Sequence, residues 1–175
     1  MKKHASEFLT ATKQFVGDGE YWLMLRLVQA ADLEISRGIS ISRTYGQLLG
    51  DLYEEGGKLK LFGHADIQPG ALNAILRLAL VGGNCGPDHG DGTEVGPKRA
   101  DQLVSTYGYP ERPVEEVAAI VFRVLHAAMV GDPAQREALP EEAAASDAVI
   151  ARQNKAIGEA LGPTMRARAE QVEGG

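Results

Sequence analysis

The chain has 175 residues, 44% hydrophobic and 6% aromatic, and a formal net charge of −6. That length allows one domain with an extension or two very small ones, and the hydrophobic share is sufficient for a core. The acidic balance argues against a general affinity for nucleic acid or anionic membrane, because both rest on clustered Lys and Arg.

The first segment reads as strands. Residues 8–16 alternate weakly, and residues 20–27 alternate clearly, with Tyr21, Leu23, Leu25 and Leu27 on one face and Trp22, Met24 and Arg26 on the other. Gly17-Asp18-Gly19 between them is a turn sequence able to supply positive φ. A hairpin alone is marginal in water, so one face must pack on helices. The Trp22/Met24 face is then either a second buried surface or an exposed apolar patch. Cover by the chain's own N-terminal residues or by a later helix is the simpler reading.

Helices follow. One is predicted over residues 28–37, stopped by Gly38. A second opens at Ser40 or Ser42 and places Ile41, Tyr45, Leu48 and Leu52 at helical spacing until Gly56-Gly57 ends it. Residues 58–62, KLKLF, read as a short edge strand guarded by lysines or as a loop.

Residues 66–83 are predicted to be the central helix. Asp66, Gly70, Asn73 and Arg77 fall in one thin stripe, and nearly everything else in the segment is apolar. A helix apolar over most of its circumference must be covered on several sides. Spanning a bilayer takes about 20 apolar residues, and Asn73 and Arg77 interrupt the run well before that. Pro69 suits the first turn, and Gly82-Gly83 is predicted to supply a left-handed exit.

The glycines and prolines of residues 84–98, NCGPDHGDGTEVGPK, forbid regular structure and predict a surface loop. A helix over residues 98–107 then sets Ala100, Leu103, Val104 and Tyr107 on one face, ended by Gly108 and Pro110. The next helix opens at Pro113 with Glu115 and Glu116 in its first turn. Val114, Val117, Ala118, Val121, Phe122, Leu125, Ala128 and Met129 form its apolar face until Gly131 and Pro133 stop it. Beyond residue 134 the chain is rich in Ala and Glu. Its apolar residues thin out to Val149, Ile150, Ile157 and Leu161, too narrow a stripe to bury much.

The predicted fold is therefore α+β and mostly helical: an N-terminal β-hairpin packed on about five short helices, with a helical C-terminal extension. Residues 1–131 form the compact domain and residues 132–175 the extension. Residues 1–15 lack a continuous apolar run before a small-residue cleavage site, and the sole cysteine, Cys85, can make no internal disulfide. Both point to a reducing, cytoplasmic setting.

Chemistry-bearing residues are sparse. Cys85, Asp88, His89, Asp91 and Glu94 are metal-ligand types, but their spacing matches neither a zinc pair nor a calcium loop, and a solvated loop is the better reading. His4 and His64 have no evident carboxylate partner, and His126 beside Arg123 reads as solvated. Gly82-Gly83 follows a helix, whereas a phosphate cradle follows a strand and opens a helix. No cofactor, metal or catalytic group is predicted. A helix-turn-helix over residues 98–130 would carry Val114-Glu115-Glu116 at the start of its recognition helix, an acidic end that phosphate repels.

Taken in order, the motifs resemble those of the gene transfer agent family of small phage-tail-like proteins. Gly19-Glu20-Tyr21 with Leu23, Leu25 and Leu27 resembles its opening G-E-Y and strand, and Leu33-Glu34 with Gly38 its L-E and following Gly. Leu78-Ala79-Leu80-Val81-Gly82-Gly83 resembles its L-x-L-I-G-G segment. Ala100, Leu103-Val104 and Tyr107 are similar to its A-x-x-L-V-x-x-Y helix, and Arg112-Pro113-Val114 to its R-P-L start. Ala127-Ala128-Met129-Val130-Gly131 is similar to its A-A-L-x-G ending. The loop at 84–98 is longer than the family pattern and the tail after Gly131 is an addition.

The resemblance implies a non-enzymatic tail assembly factor, a chaperone for the helical tape-measure protein. A structural tail or head–tail connector component retained in the particle is the alternative, and a helical DNA-binding regulator a third reading. On the chaperone reading the chain binds a protein partner, not nucleic acid or membrane. Its contacts are then expected on the Trp22/Met24 face and along the extension at Val149, Ile150, Ile157 and Leu161.

Overall fold

A computed structural model describes residues 4–62, 66–86, 94–139, 144–145, 147–149, 151–152 and 155. The described residues are about 60% helical with two small antiparallel sheets, an α+β fold dominated by helix. It divides into two compact units, Met1–Ala138 and Leu139–Gly175. In the second unit the described residues after Leu139 are helical.

The first unit opens with a single 3-10 turn, Ala5–Glu7, and a hairpin of β1 (Thr12–Val16) and β2 (Gly19–Leu23) in the register Thr12↔Leu23 to Val16↔Gly19. Gly17 takes φ 62° at the turn, and an added Cβ there would lie inside the Tyr107 ring, so the turn is fixed by shape as well as by torsion. The second strand is shorter than the sequence predicts. Alternation continues to Leu27, but β2 ends at Leu23 and Leu27 begins α1 (Leu27–Ala31), which runs on into a π turn, Asp32–Ser36. Gly38 at φ 66° closes that segment, as its sequence predicts.

Helix α2 (Ile41–Asp51) starts at Ser40, whose hydroxyl accepts from the Arg43 amide (3.3 Å). It stops before Leu52, earlier than helical spacing predicts. Residues Leu52–Glu55 are strand β3, paired with β4 (Lys58–Leu61) from Leu52↔Leu61 to Glu55↔Lys58. Gly56 and Gly57 both have positive φ, 60° and 75°, and form the two-residue hairpin turn rather than a helix stop. The cross-strand pairs Tyr53–Lys60 and Glu55–Lys58, the Lys60–Glu55 ion pair and the stacked Tyr53 and Phe62 rings hold this hairpin.

Helix α3 (Pro69–Gly83) is central, with Leu72, Ile75, Leu76, Leu78, Ala79 and Leu80 buried. It packs against β2, α4 (Pro97–Tyr107) and α5 (Val114–Val130). Its polar stripe is used. The Asn73 side chain donates to the Tyr109 carbonyl (2.7 Å) and accepts from the Tyr109 amide (3.1 Å), and Arg77 pairs with Asp101 of α4.

The helix exit corrects one expectation. Gly82 and Gly83 belong to the helix, and Asn84 is the left-handed residue (φ 55°). The glycines are needed for proximity. A Cβ on Gly82 would stand 2.0 Å from the Met24 carbonyl oxygen, and one on Gly83 1.8 Å from that of Trp22. Only bare backbone lets the end of α3 lie this close to β2, where the Ala79 carbonyl accepts from the Met24 amide (3.0 Å).

Helix α5 buries Val117, Ala118, Val121, Val124, Leu125 and Ala127. Its face is rotated from the predicted one at the C-terminal end: Val124 and Ala127 turn inward, whereas Met129 is half-exposed. His126, read as solvated, is part-buried and its Nδ1 lies 3.0 Å from the Tyr45 hydroxyl beside Phe122. Helix α6 (Pro133–Ala138) then returns to the N-terminal segment, where the Leu9 carbonyl accepts from the Asp132 amide (2.8 Å).

Candidate interaction surface

The two faces of β2 lead to two different environments. Tyr21 and Leu23 join the main core with α3, α4 and α5. The Tyr21 hydroxyl donates to Asp18 Oδ1 (2.7 Å), and Arg99 of α4 reaches Asp18 Oδ2 (2.7 Å) and the same hydroxyl (3.2 Å). Burial, with the Asp18 hydrogen bond, pushes the Tyr21 phenol up to about 12. This cluster pins the hairpin turn to α4.

Trp22 and Met24 lie on the opposite face and are also buried, at 8% and 2% exposure. They form a second, smaller cluster with Ala5, Ala11 and Cys85, against which Phe8 packs. The residues before β1 thus act as a strap across this face. The strap carries its own short-range bonds, Glu7 amide to the His4 carbonyl and Phe8 amide to Ala5, and the Arg26 guanidinium sits 5.2 Å above the Phe8 ring. Of the two readings of this face, a buried surface or an exposed patch for a partner, the first describes it: the chain's own N-terminal residues cover both Trp22 and Met24. Of the extension residues expected to touch a partner, Val149 is helical and half-exposed, while Ile150, Ile157 and Leu161 lie outside the described residues.

Among the described residues the most exposed large apolar side chains lie elsewhere. Leu27, Val28 and Ile35 are 85%, 74% and 84% exposed, all on the segment formed by α1 and its π turn. Leu27, Ala31 and Ile35 recur at i, i+4 and i+8, one side of a helical rod. Within the π turn the Arg37 amide donates to the Asp32 carbonyl (3.2 Å), Leu33 is fully buried and Ile35 stays outside. Asp32 and Arg37 form an ion pair (3.0 Å) at the end of the stripe, and the Arg37 hydrogen bond holds the Asp32 carboxyl below its ordinary range.

Periodicity alone missed this surface because Leu27 was assigned to a strand's core face. The signal that could have found it is Leu27-Val28 beside Ile35, three large apolar residues in a short helix that needs only Leu33 for its own packing. Singly exposed apolar residues are ordinary, but a contiguous patch is a mark of contact with another molecule.

Asp88, His89 and Asp91 lie outside the described residues, and among the described residues no group of three or more His, Cys, Asp or Glu could hold an ion. No helix among the described residues is long and apolar enough to cross a membrane. His64 also lies outside the described residues, whereas His4 reaches Cys85: its Nε2 is 3.0 Å from Sγ. No local pattern could have shown a pair 81 positions apart. No protein-family model, curated protein or solved structure matches this chain.

Proposed function

We propose that this protein is a non-enzymatic assembly factor for phage-tail or gene-transfer-agent tails, a chaperone that holds the helical tape-measure protein through the Leu27/Val28/Ile35 stripe. The observation that carries this reading is the exposure of that stripe on a helix whose opposite side is anchored by a fully buried Leu33. A helix-on-helix contact needs an apolar row at helical spacing on each partner, and α1 with its π turn offers such a row. The ordered motifs from Gly19-Glu20-Tyr21 to the Ala127–Gly131 ending supply the family context. A net charge of −6 keeps a client-binding chain from associating with itself.

The test is co-expression with the neighbouring long helical tail protein and size-exclusion chromatography of the pair. Wild-type chain is expected to co-elute with the client, and the Leu27→Ser/Ile35→Ser double variant to elute alone while keeping its helical circular dichroism. Co-elution unaffected by that variant would contradict the assigned surface, and absence of any complex would contradict the function. Recovery of the chain from purified particles would favour the retained structural component instead.

A further inference from the structure

The N-terminal hairpin is closed along one edge and open along the other. On the β2 side the Trp22 amide donates to the Cys85 carbonyl (3.1 Å) and the Met24 amide to that of Ala79 (3.0 Å). In an antiparallel pair, residues whose backbone groups turn into the ladder alternate with residues whose groups turn away. Trp22 turns away from β1, so its partner Lys13 turns away from β2, and so does Phe15 two residues on. Their N–H and C=O groups therefore line the outer edge of β1, where neither residue makes a backbone–backbone hydrogen bond among the described residues. Such an edge is a template for another strand. The Lys13 ammonium, which could guard it, is drawn across the ladder to Glu20 (3.3 Å), and Phe15 is 63% exposed.

Two cavities lie in succession between β1 and α5. One, of about 340 Å³, is lined by Thr12, Gln14, Phe122 and Ala127 among others, and the next, of about 100 Å³, by Val16, Val117 and Ile120 among others. At their boundary Arg123 Nη1 donates to Gln14 Oε1 (3.0 Å). The acidic residues on these walls are engaged elsewhere: Asp132 accepts from the Ala134 amide (2.9 Å), and Glu116 faces Arg112 (3.6 Å). Arg123 is exposed and forms no ion pair among the described residues, so its charge has no counterpart. Side chains of a strand share a face at every second residue, with a rise of about 3.3 Å per residue. Three alternate side chains of a strand added to β1 thus fall beside Thr12, Gln14 and Val16, which are the cavity, the Arg123 position and the second cavity in turn.

We propose that the outer edge of β1 takes up an extended peptide segment of a protein partner by strand addition, with the pattern apolar–x–acidic–x–apolar. The Lys13 and Phe15 backbone groups pair with the peptide backbone and give affinity. The acidic side chain meets Arg123 and the flanking apolar side chains enter the two cavities, which gives specificity. This surface shares no residue with the Leu27/Val28/Ile35 stripe and takes its partner as a strand, so it does not rest on the helical-client reading.

The probe is the heptapeptide TVTETVT, capped at both ends, with TVTKTVT as its charge-reversed counterpart. Each is titrated into the full chain while residue-resolved amide exchange is followed by NMR. The glutamate peptide is expected to slow exchange of the Lys13 and Phe15 amides about tenfold or more and to leave Gln14, whose amide turns into the ladder, unchanged. The lysine peptide is expected to bind about tenfold more weakly, and Arg123→Glu to reverse that preference. No binding of the glutamate peptide by about 1 mM overturns the proposal. So does binding that leaves Lys13 and Phe15 unchanged, or equal affinity for the two peptides. These outcomes are read on the wild-type chain, so they decide the matter even if Arg123→Glu unfolds. Concentration-dependent protection of Lys13 and Phe15 in the chain alone would place a second copy on this edge and overturn the peptide assignment.

Discussion

The two buried faces of β2 are covered by different means. On one side Tyr21 and Leu23 meet α3, a 15-residue helix whose apolar residues are buried by α4, α5 and the hairpin together. On the other, Trp22 and Met24 are covered by a strap whose regular structure is one 3-10 turn. Burial removes apolar area from water equally in both, but the cover differs in how many contacts must break for it to open. The main core opens only when several helices separate. The strap rests on a single 3-10 turn and a few contacts, and the Trp22 Nε1 atom beneath it is buried with no partner, a standing cost to the closed arrangement. Side-chain burial alone therefore does not show how firmly a surface is closed.

The sharpest way to break this contrast is truncation in the main core. Leu76→Ala removes a fully buried side chain from α3 and is expected to cost about 2–5 kcal/mol in urea unfolding. A loss under about 1 kcal/mol would mean that α3 is not the centre of the fold.

Next is the close contact that joins the two faces. Gly83→Ala forces a Cβ against the Trp22 carbonyl oxygen, and backbone on both sides cannot swing away. The expected cost is about 1–3 kcal/mol, with faster amide exchange in both the strap and α3. Phe8→Ala takes away strap cover and the Arg26 contact. It is expected to cost about 1 kcal/mol, with exchange faster in the strap and unchanged in α3. Equal acceleration in α3 would show that the two faces open together.

The Tyr21 phenol distinguishes the faces by pH. Its folded value is raised from 10.0 to about 12, so the unfolded chain loses this proton first. The associated stability is present below pH 10 and is lost as the pH rises through about 12. Tyr21→Phe is expected to flatten the fall in stability over that interval, read from urea midpoints at successive pH. The smallest effect belongs to the Arg77–Asp101 pair on the solvent side of α3, where a double-mutant cycle is expected to give about 0.2–1 kcal/mol.

Much of this fold could be read from the sequence because long elements repeat their signal. The apolar circumference of α3 and the spacing of α5 each persist over several turns, so small errors at their ends did not change the element. The missed features are short or distant. Leu48 and Leu52 keep helical spacing across the point where α2 gives way to β3, and only the Gly56-Gly57 pair between LYEE and KLKL marks the hairpin. Gly82-Gly83 looked like a helix stop because sequence shows a missing Cβ but not the strand that lies against it. The candidate surface was misplaced for a related reason. Alternation carried Leu27 into β2, whereas Leu27 opens α1, and the π turn that follows it has no signature in residue type.

The central claim is that contact with a helical protein client is made through the Leu27/Val28/Ile35 stripe while the strap keeps Trp22 and Met24 covered. Amide hydrogen exchange of the chain, alone and with the co-expressed tape-measure protein, tests both halves in one measurement. Added protection across residues 27–37 with none in residues 5–11 is the predicted result. Protection elsewhere with residues 27–37 unchanged, or deprotection of residues 5–11 as the client binds, would contradict it.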